Sequence, residues 1–116
     1  MKKIVLIACA AKKLNYKAKA KNLYISSLLK KNLAYARSLE PDKIFILSAK
    51  HGLLDLDEEI FPYNETLNEK SSYEIKIWAN SVLQKLRINT NPDKDEFIFI
   101  LLYLKKKNII FIKSKE

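Results

Sequence analysis

Apolar residues along the chain fall into short β-branched runs and longer stretches with helical spacing, and the two kinds of block alternate. Residues 2–10, KKIVLIACA, read as a buried strand ending at small residues. The basic, weakly periodic segment 11–22, AKKLNYKAKAKN, predicts a surface loop. Over 23–41, Leu28, Leu29, Leu33, Ala36 and Leu39 form one helical stripe, with Ser26 or Ser27 as N-cap and Pro41 as the stop. A second buried strand follows at 42–50, DKIFILSAK. Residues 51–67 then read as a long irregular connection with an acidic middle. Ser71 and Glu74 have capping-box spacing and open a helix over 71–87. Ile75, Trp78, Ala79, Val82 and Leu86 share one face of it, which places Trp78 in the core. A polar loop at 87–96 leads to a third strand at 97–104, FIFILLYL, and a shorter fourth at 109–112, IIFI.

Strand, helix, strand, helix, strand predicts an α/β fold. The expected architecture is a small three-layer arrangement over 1–116: a mostly parallel sheet, two main helices and a β-rich C-terminal tail. Ligands of such sheets bind beyond the carboxyl ends of the strands, at the switch point. Here those ends are residues 9–13 and 48–52.

Composition adds three constraints. No apolar run reaches the ~18 residues of a membrane span, so no membrane role is expected. The basic, apolar opening is short and meets Lys12-Lys13 at once, which reads as a strand rather than a signal peptide. The single cysteine, Cys9, cannot form an internal disulfide and suits a reducing cytoplasm. The net charge is +9, and residues 1–40 hold ten Lys/Arg against one acid, Glu40. Residues 41–116 hold twelve of each, so the whole excess lies in the first third. That asymmetry suits an anionic partner such as a nucleotide or nucleic acid. Simple solubility of a Lys-rich chain explains it equally well, since only Arg37 and Arg87 supply guanidinium groups.

The chain has one histidine and one glycine, and they are adjacent, His51-Gly52, after the second strand. Gly52 suits a turn needing positive φ. His51 suits acid/base chemistry or hydrogen-bond donation near neutral pH. Lys50, Lys12 and Lys13 can supply positive charge for a phosphate or carboxylate, and the helix opening near Ser26 adds backbone N–H groups. Ser48 either caps the strand end or donates to a ligand. Cys9 is either a thiol nucleophile with His51 as its base or a small apolar residue. One Cys and one His make no structural zinc site, and no metal or cofactor is expected. Asp55, Asp57, Glu58 and Glu59 lack the pattern of a calcium loop and read as a solvated loop. Tyr16, Tyr24, Tyr35 and Tyr63 offer stacking surfaces for bases, with Tyr24 and Tyr35 also suited to the first helix's packing face.

The series IACAAKK (7–13), LYISSLLKKNLAYA (23–36), ILSAKHGLLD (46–55) and PYNETL (62–67) resembles a YaaA-like family of small bacterial and phage proteins of unassigned function. That family is distantly similar to peroxide-stress protein YaaA and the archaeosine synthase core. The resemblance covers residues 1–88 and falls on Cys9, Lys12 or Lys13, Tyr24, Ser26, Ser48, Lys50, His51, Gly52, Pro62, Tyr63 and Thr66. It implies a polar pocket at the strand ends of an α/β core and a link to nucleic acid. Two departures stand out: Ala10 replaces the usual Ser, and 97–116 lacks the family's glycine turn and further helix. The tail is truncated relative to the family, or its apolar strands pair with a second copy or a partner protein. The expected function is binding or turnover of a nucleotide, nucleobase or nucleic acid. The alternatives are a non-catalytic basic nucleic-acid-binding module and a regulatory fragment that needs a partner.

Overall fold

The computed structural model describes residues 1–8, 13–25, 27–102 and 109–114, and side chains at all of these except 27, 28, 68, 101, 102 and 109–114. Its centre is β1 (Lys3–Ala8), flanked in parallel by β3 (Lys43–Ser48) and β6 (Glu96–Leu102). Antiparallel strands close the two edges, β4 (Gly52–Asp55) on β3 and β7 (Ile109–Ser114) on β6. The order is therefore β4-β3-β1-β6-β7. Helix α2 (Ser27–Ser38) covers one face and α3 (Ser72–Asn89) the other, so the α/β fold with three layers and two main helices holds.

Central strands are buried on both faces, which is why they read as continuous apolar runs rather than alternating ones. Along β1, Val5 and Ile7 join the α2-side core while Ile4 and Leu6 join the α3-side core. β3 divides Ile46 from Phe45, and β6 divides Ile100 from Phe97, in the same way. Leu29, Leu33 and Ala36 of α2 pack onto the first core, and Val82 and Leu86 of α3 onto the second.

Four expectations change. The segment read as a loop at 11–22 contains β2 (Ala18–Lys19) and a short helix α1 (Ala20–Leu23), which ends before α2 begins. β2 pairs antiparallel with β5 (Glu59–Ile60), and Lys17, Lys19 and Lys21 form ion pairs with Glu59, Asp57 and Asp57 respectively. Thus the acidic middle of 51–67 is no irregular loop: it supplies β4 and β5 and neutralises part of the basic first third. Tyr35 is exposed, because Leu29, Leu33 and Ala36 take the inner face of α2.

The apolar stripe of α3 is only partly used. The helix opens on the capping box expected from Ser71 and Glu74, yet Ile75 is exposed and Trp78 half-buried. Helix α3 packs on β4. A four-residue strand spans about 13 Å and an 18-residue helix about 27 Å, so the first turns of α3 outrun their support.

One buried residue breaks the apolar pattern. Asn32 of α2 is fully buried, and among the described residues neither its Oδ1 nor its Nδ2 has a hydrogen-bond partner. An unsatisfied buried polar group costs about 1–3 kcal/mol. Asn32→Leu is therefore expected to raise stability in urea by ~1–2 kcal/mol; a loss of stability would show that the amide is engaged.

Candidate functional site

Because β1 and β3 run parallel, their carboxyl ends, Ala8 and Ser48, lie at one edge of the sheet. The chain leaves β1 for β3 on one side and later returns to β6 on the other, so this edge is the switch point. β3 ends there in a tight turn that reverses into β4, with Ser48 opposite Gly52 in the register.

Ser48 is fully buried and joins three elements. Its Oγ accepts from the His51 backbone N–H at 3.0 Å, and its carbonyl accepts from the Trp78 indole Nε1 at 2.8 Å. The expected role of Ser48 as a strand-end cap is thus the one its hydrogen bonds serve. Trp78, assigned to the core from sequence, packs half-buried against the α3-side core and also ties α3 to the turn. An indole carries one donor and usually finds an acceptor when buried, which is the signal that sequence reading missed. Lys85, further along α3, donates from Nζ to the Leu53 carbonyl at 3.3 Å.

Gly52 has φ +72°, the left-handed region. A Cβ there would meet Val82 Cγ2 at 3.5 Å, an ordinary contact, so backbone conformation rather than space demands glycine.

The His51 ring is half-buried and meets the Tyr63 ring edge-on, with centroids 5.4 Å apart. Among the described residues, its buried Nε2 has no hydrogen-bond partner. Lys13 Nζ lies 4.3 Å from the Tyr63 centroid and 5.5 Å from that of Tyr24. The two tyrosine hydroxyls are hydrogen-bonded at 2.6 Å, and Lys13 and Tyr24 share a β-bridge. His51, Tyr63, Tyr24 and Lys13 therefore form one group, although 38 residues separate Lys13 from His51 in sequence. Burial pushes the His51 imidazole below its ordinary pKa, and Lys50 beside it pushes further in the same direction. Lys85 adds to the lowering, while Glu58 and Glu65 oppose it.

Lys50 stands exposed on the turn itself. Thr66 lies at the start of a 3₁₀ turn (Leu67–Glu69), where its Oγ1 donates to Glu69 Oε1 at 3.0 Å. Cys9, Lys12 and Ser26 fall outside the described residues. A separate groove of about 700 Å³ lies at the opposite edge, where β3 starts, lined by Arg37, Glu40, Asp42, Lys43, Asp55 and Glu58 among others. Its acids are largely engaged: Asp55 pairs with Lys43, and Asp42 accepts from the Lys3 N–H. Among the described residues no group of three His, Cys, Asp or Glu side chains is placed to hold a metal, and no helix is long and apolar enough to cross a membrane.

The lowered His51 pKa has a consequence for stability. The unfolded chain binds a proton near pH 6.5 and the folded chain only below that, so folding releases a proton in between. Stability is then complete above about pH 6.5 and falls as pH drops towards the folded value. Chemical denaturation across pH 5–7.5 is expected to show this loss in the natural protein and a smaller one in His51→Gln. Gly52→Ala is expected to lower stability by ~1–2 kcal/mol at any pH, the cost of a Cβ in left-handed backbone; no change would mean the turn does not need that φ.

No curated protein and no solved structure matches the chain. A family model does match, from residue 4 to residue 104, through all three parallel strands and both main helices. The chain belongs to the family of unknown function DUF6884.

Proposed function

We propose that the chain binds a nucleotide, nucleobase or nucleic acid at the strand-end site and acts on it there. The observation that carries this reading is the buried Nε2 of His51, without a partner among the described residues and beside a tyrosine ring that also carries Lys13. A buried ring nitrogen with no partner among the described residues has a hydrogen bond to gain from a ligand. In this reading Lys13 and Lys50 supply positive charge, Tyr63 and Tyr24 form an aromatic wall, and His51 donates to or takes a proton from the ligand. Ser48 and Gly52 position the turn. Cys9, Lys12, Ser26 and Thr66 join the site as positions where the YaaA-like resemblance falls, and by its own chemistry Cys9 is a thiol nucleophile or a small apolar residue. A reducing, cytoplasmic setting fits a single thiol.

The rival reading, a basic module without chemistry, loses support from the ion pairs of Lys17, Lys19 and Lys21 with Glu59 and Asp57. Those lysines face carboxylates of the same chain, which weakens any continuous cationic face. The partner-dependent reading draws on β7, an edge strand where a second copy or another chain would add to the sheet.

A thermal-shift panel of nucleobases, nucleosides, nucleotides, tRNA and DNA at low and high salt discriminates these readings. A small ligand should stabilise the natural protein at both salts and leave Lys50→Ala/His51→Ala unaffected. Stabilisation by polyanions alone, equal in both proteins and lost at high salt, would contradict the pocket and support the basic module.

A further inference from the structure

We propose that the strand-end site recognises an oxyanion of the phosphate or sulfate type, and that His51 takes up a proton on binding so that Nε2 donates to that anion. This rests on the reading of the site given above and names the group it holds.

The geometry supplies three reasons. His51 Nε2 is buried, and among the described residues it has no acceptor. Its ring lies against Tyr63, and Lys13 Nζ sits 4.3 Å from that same ring, so a cation and the imidazole flank one aromatic side chain. Lys50 precedes His51 in the turn and acts on its imidazole as a second cation. One ammonium next to the imidazole in sequence and another over the tyrosine ring that the imidazole meets suit an anion, not a metal or a second cation.

The charged groups facing His51 come from every element around it. Lys50 belongs to its own turn and Lys85 to α3; Glu58 precedes β5 and Glu65 precedes the 3₁₀ turn. In the free protein burial, Lys50 and Lys85 favour the neutral imidazole, against the two glutamates. An oxyanion reverses that balance: it adds negative charge beside the ring and accepts from the N–H that protonation creates. Proton and anion therefore bind with mutual reinforcement, and by linkage each strengthens the other by the same factor. Affinity for the anion must rise as pH falls through the interval between the free and the occupied titration midpoints.

His51 is the only histidine, so its imidazole C–H resonance is unambiguous in NMR. The experiment titrates that resonance with pH in chloride, in sulfate and in inorganic phosphate at constant ionic strength. Sulfate keeps its charge through this range, which separates uptake by His51 from protonation of phosphate itself. The expected result is a midpoint raised by about one pH unit in sulfate, equivalent to roughly tenfold tighter binding to the protonated form, with a similar rise in phosphate. In Lys13→Gln/Lys50→Gln the anion-induced rise should shrink severalfold, while the spectrum reports that the fold is retained.

Equal midpoints in all three salts would overturn the proposal, as would an undiminished rise in the double variant. A nucleoside and its monophosphate, titrated in the same way, separate the two levels of the argument. If the nucleoside shifts the His51 resonance and the monophosphate adds nothing, the pocket stands and the oxyanion inference falls. If neither nucleoside, nucleotide nor inorganic anion perturbs His51, both fall. A larger rise with the monophosphate than with free phosphate would identify a nucleotide phosphate as the source.

Discussion

The hydrogen bond from Trp78 Nε1 to the carbonyl of Ser48 is the contact on which the site depends. It fixes the last residue of β3 against α3, on one face of the sheet. From that fixed point the Ser48 hydroxyl holds the His51 N–H, and Gly52 turns the chain through positive φ into β4. His51 is then carried towards Tyr63, whose ring belongs to the core on the opposite face. The turn is thus held between α3 and the core on the opposite face, and that clamp buries the Nε2 edge of the imidazole.

Electrostatics follow from the same topology. The acidic stretch after β4 returns alongside β2 and α1, where Asp57 and Glu59 meet Lys17, Lys19 and Lys21. Exposed pairs of this kind contribute little to stability. Their effect is on where charge remains. Among the described residues, Lys50 on the turn, Lys85 on α3 and Lys13 over the two tyrosines bring charge to the site.

Much of this was legible in the sequence. Apolar runs with helices between them gave the parallel centre of the sheet, since doubly buried strands need no alternation. The Ser71–Glu74 capping box placed the start of α3 correctly. Uniqueness singled out His51 and Gly52, and order along the chain put them at the switch point. What stayed hidden depends on long-range contact. β4 escaped because Leu53 and Leu54 feed opposite faces over only four residues, and acidic residues follow them at once. β2 and β5 are two residues each and exist only as a pair. Periodicity counted the apolar body of Trp78, which does pack on the core, and ignored its N–H, which ties α3 to the turn. Asn32 gave no signal at all, since a lone amide in a helix normally faces solvent.

The most direct test of the clamp is the NMR titration of His51 in Trp78→Phe. With the indole donor gone, Ser48 loses its tie to α3 and the turn should admit water. Burial is the largest cause of the lowered imidazole pKa, so the midpoint should move up towards the ordinary histidine value while the fold persists. An unchanged midpoint in a folded Trp78→Phe protein would contradict the account: the turn would then hold His51 without help from α3.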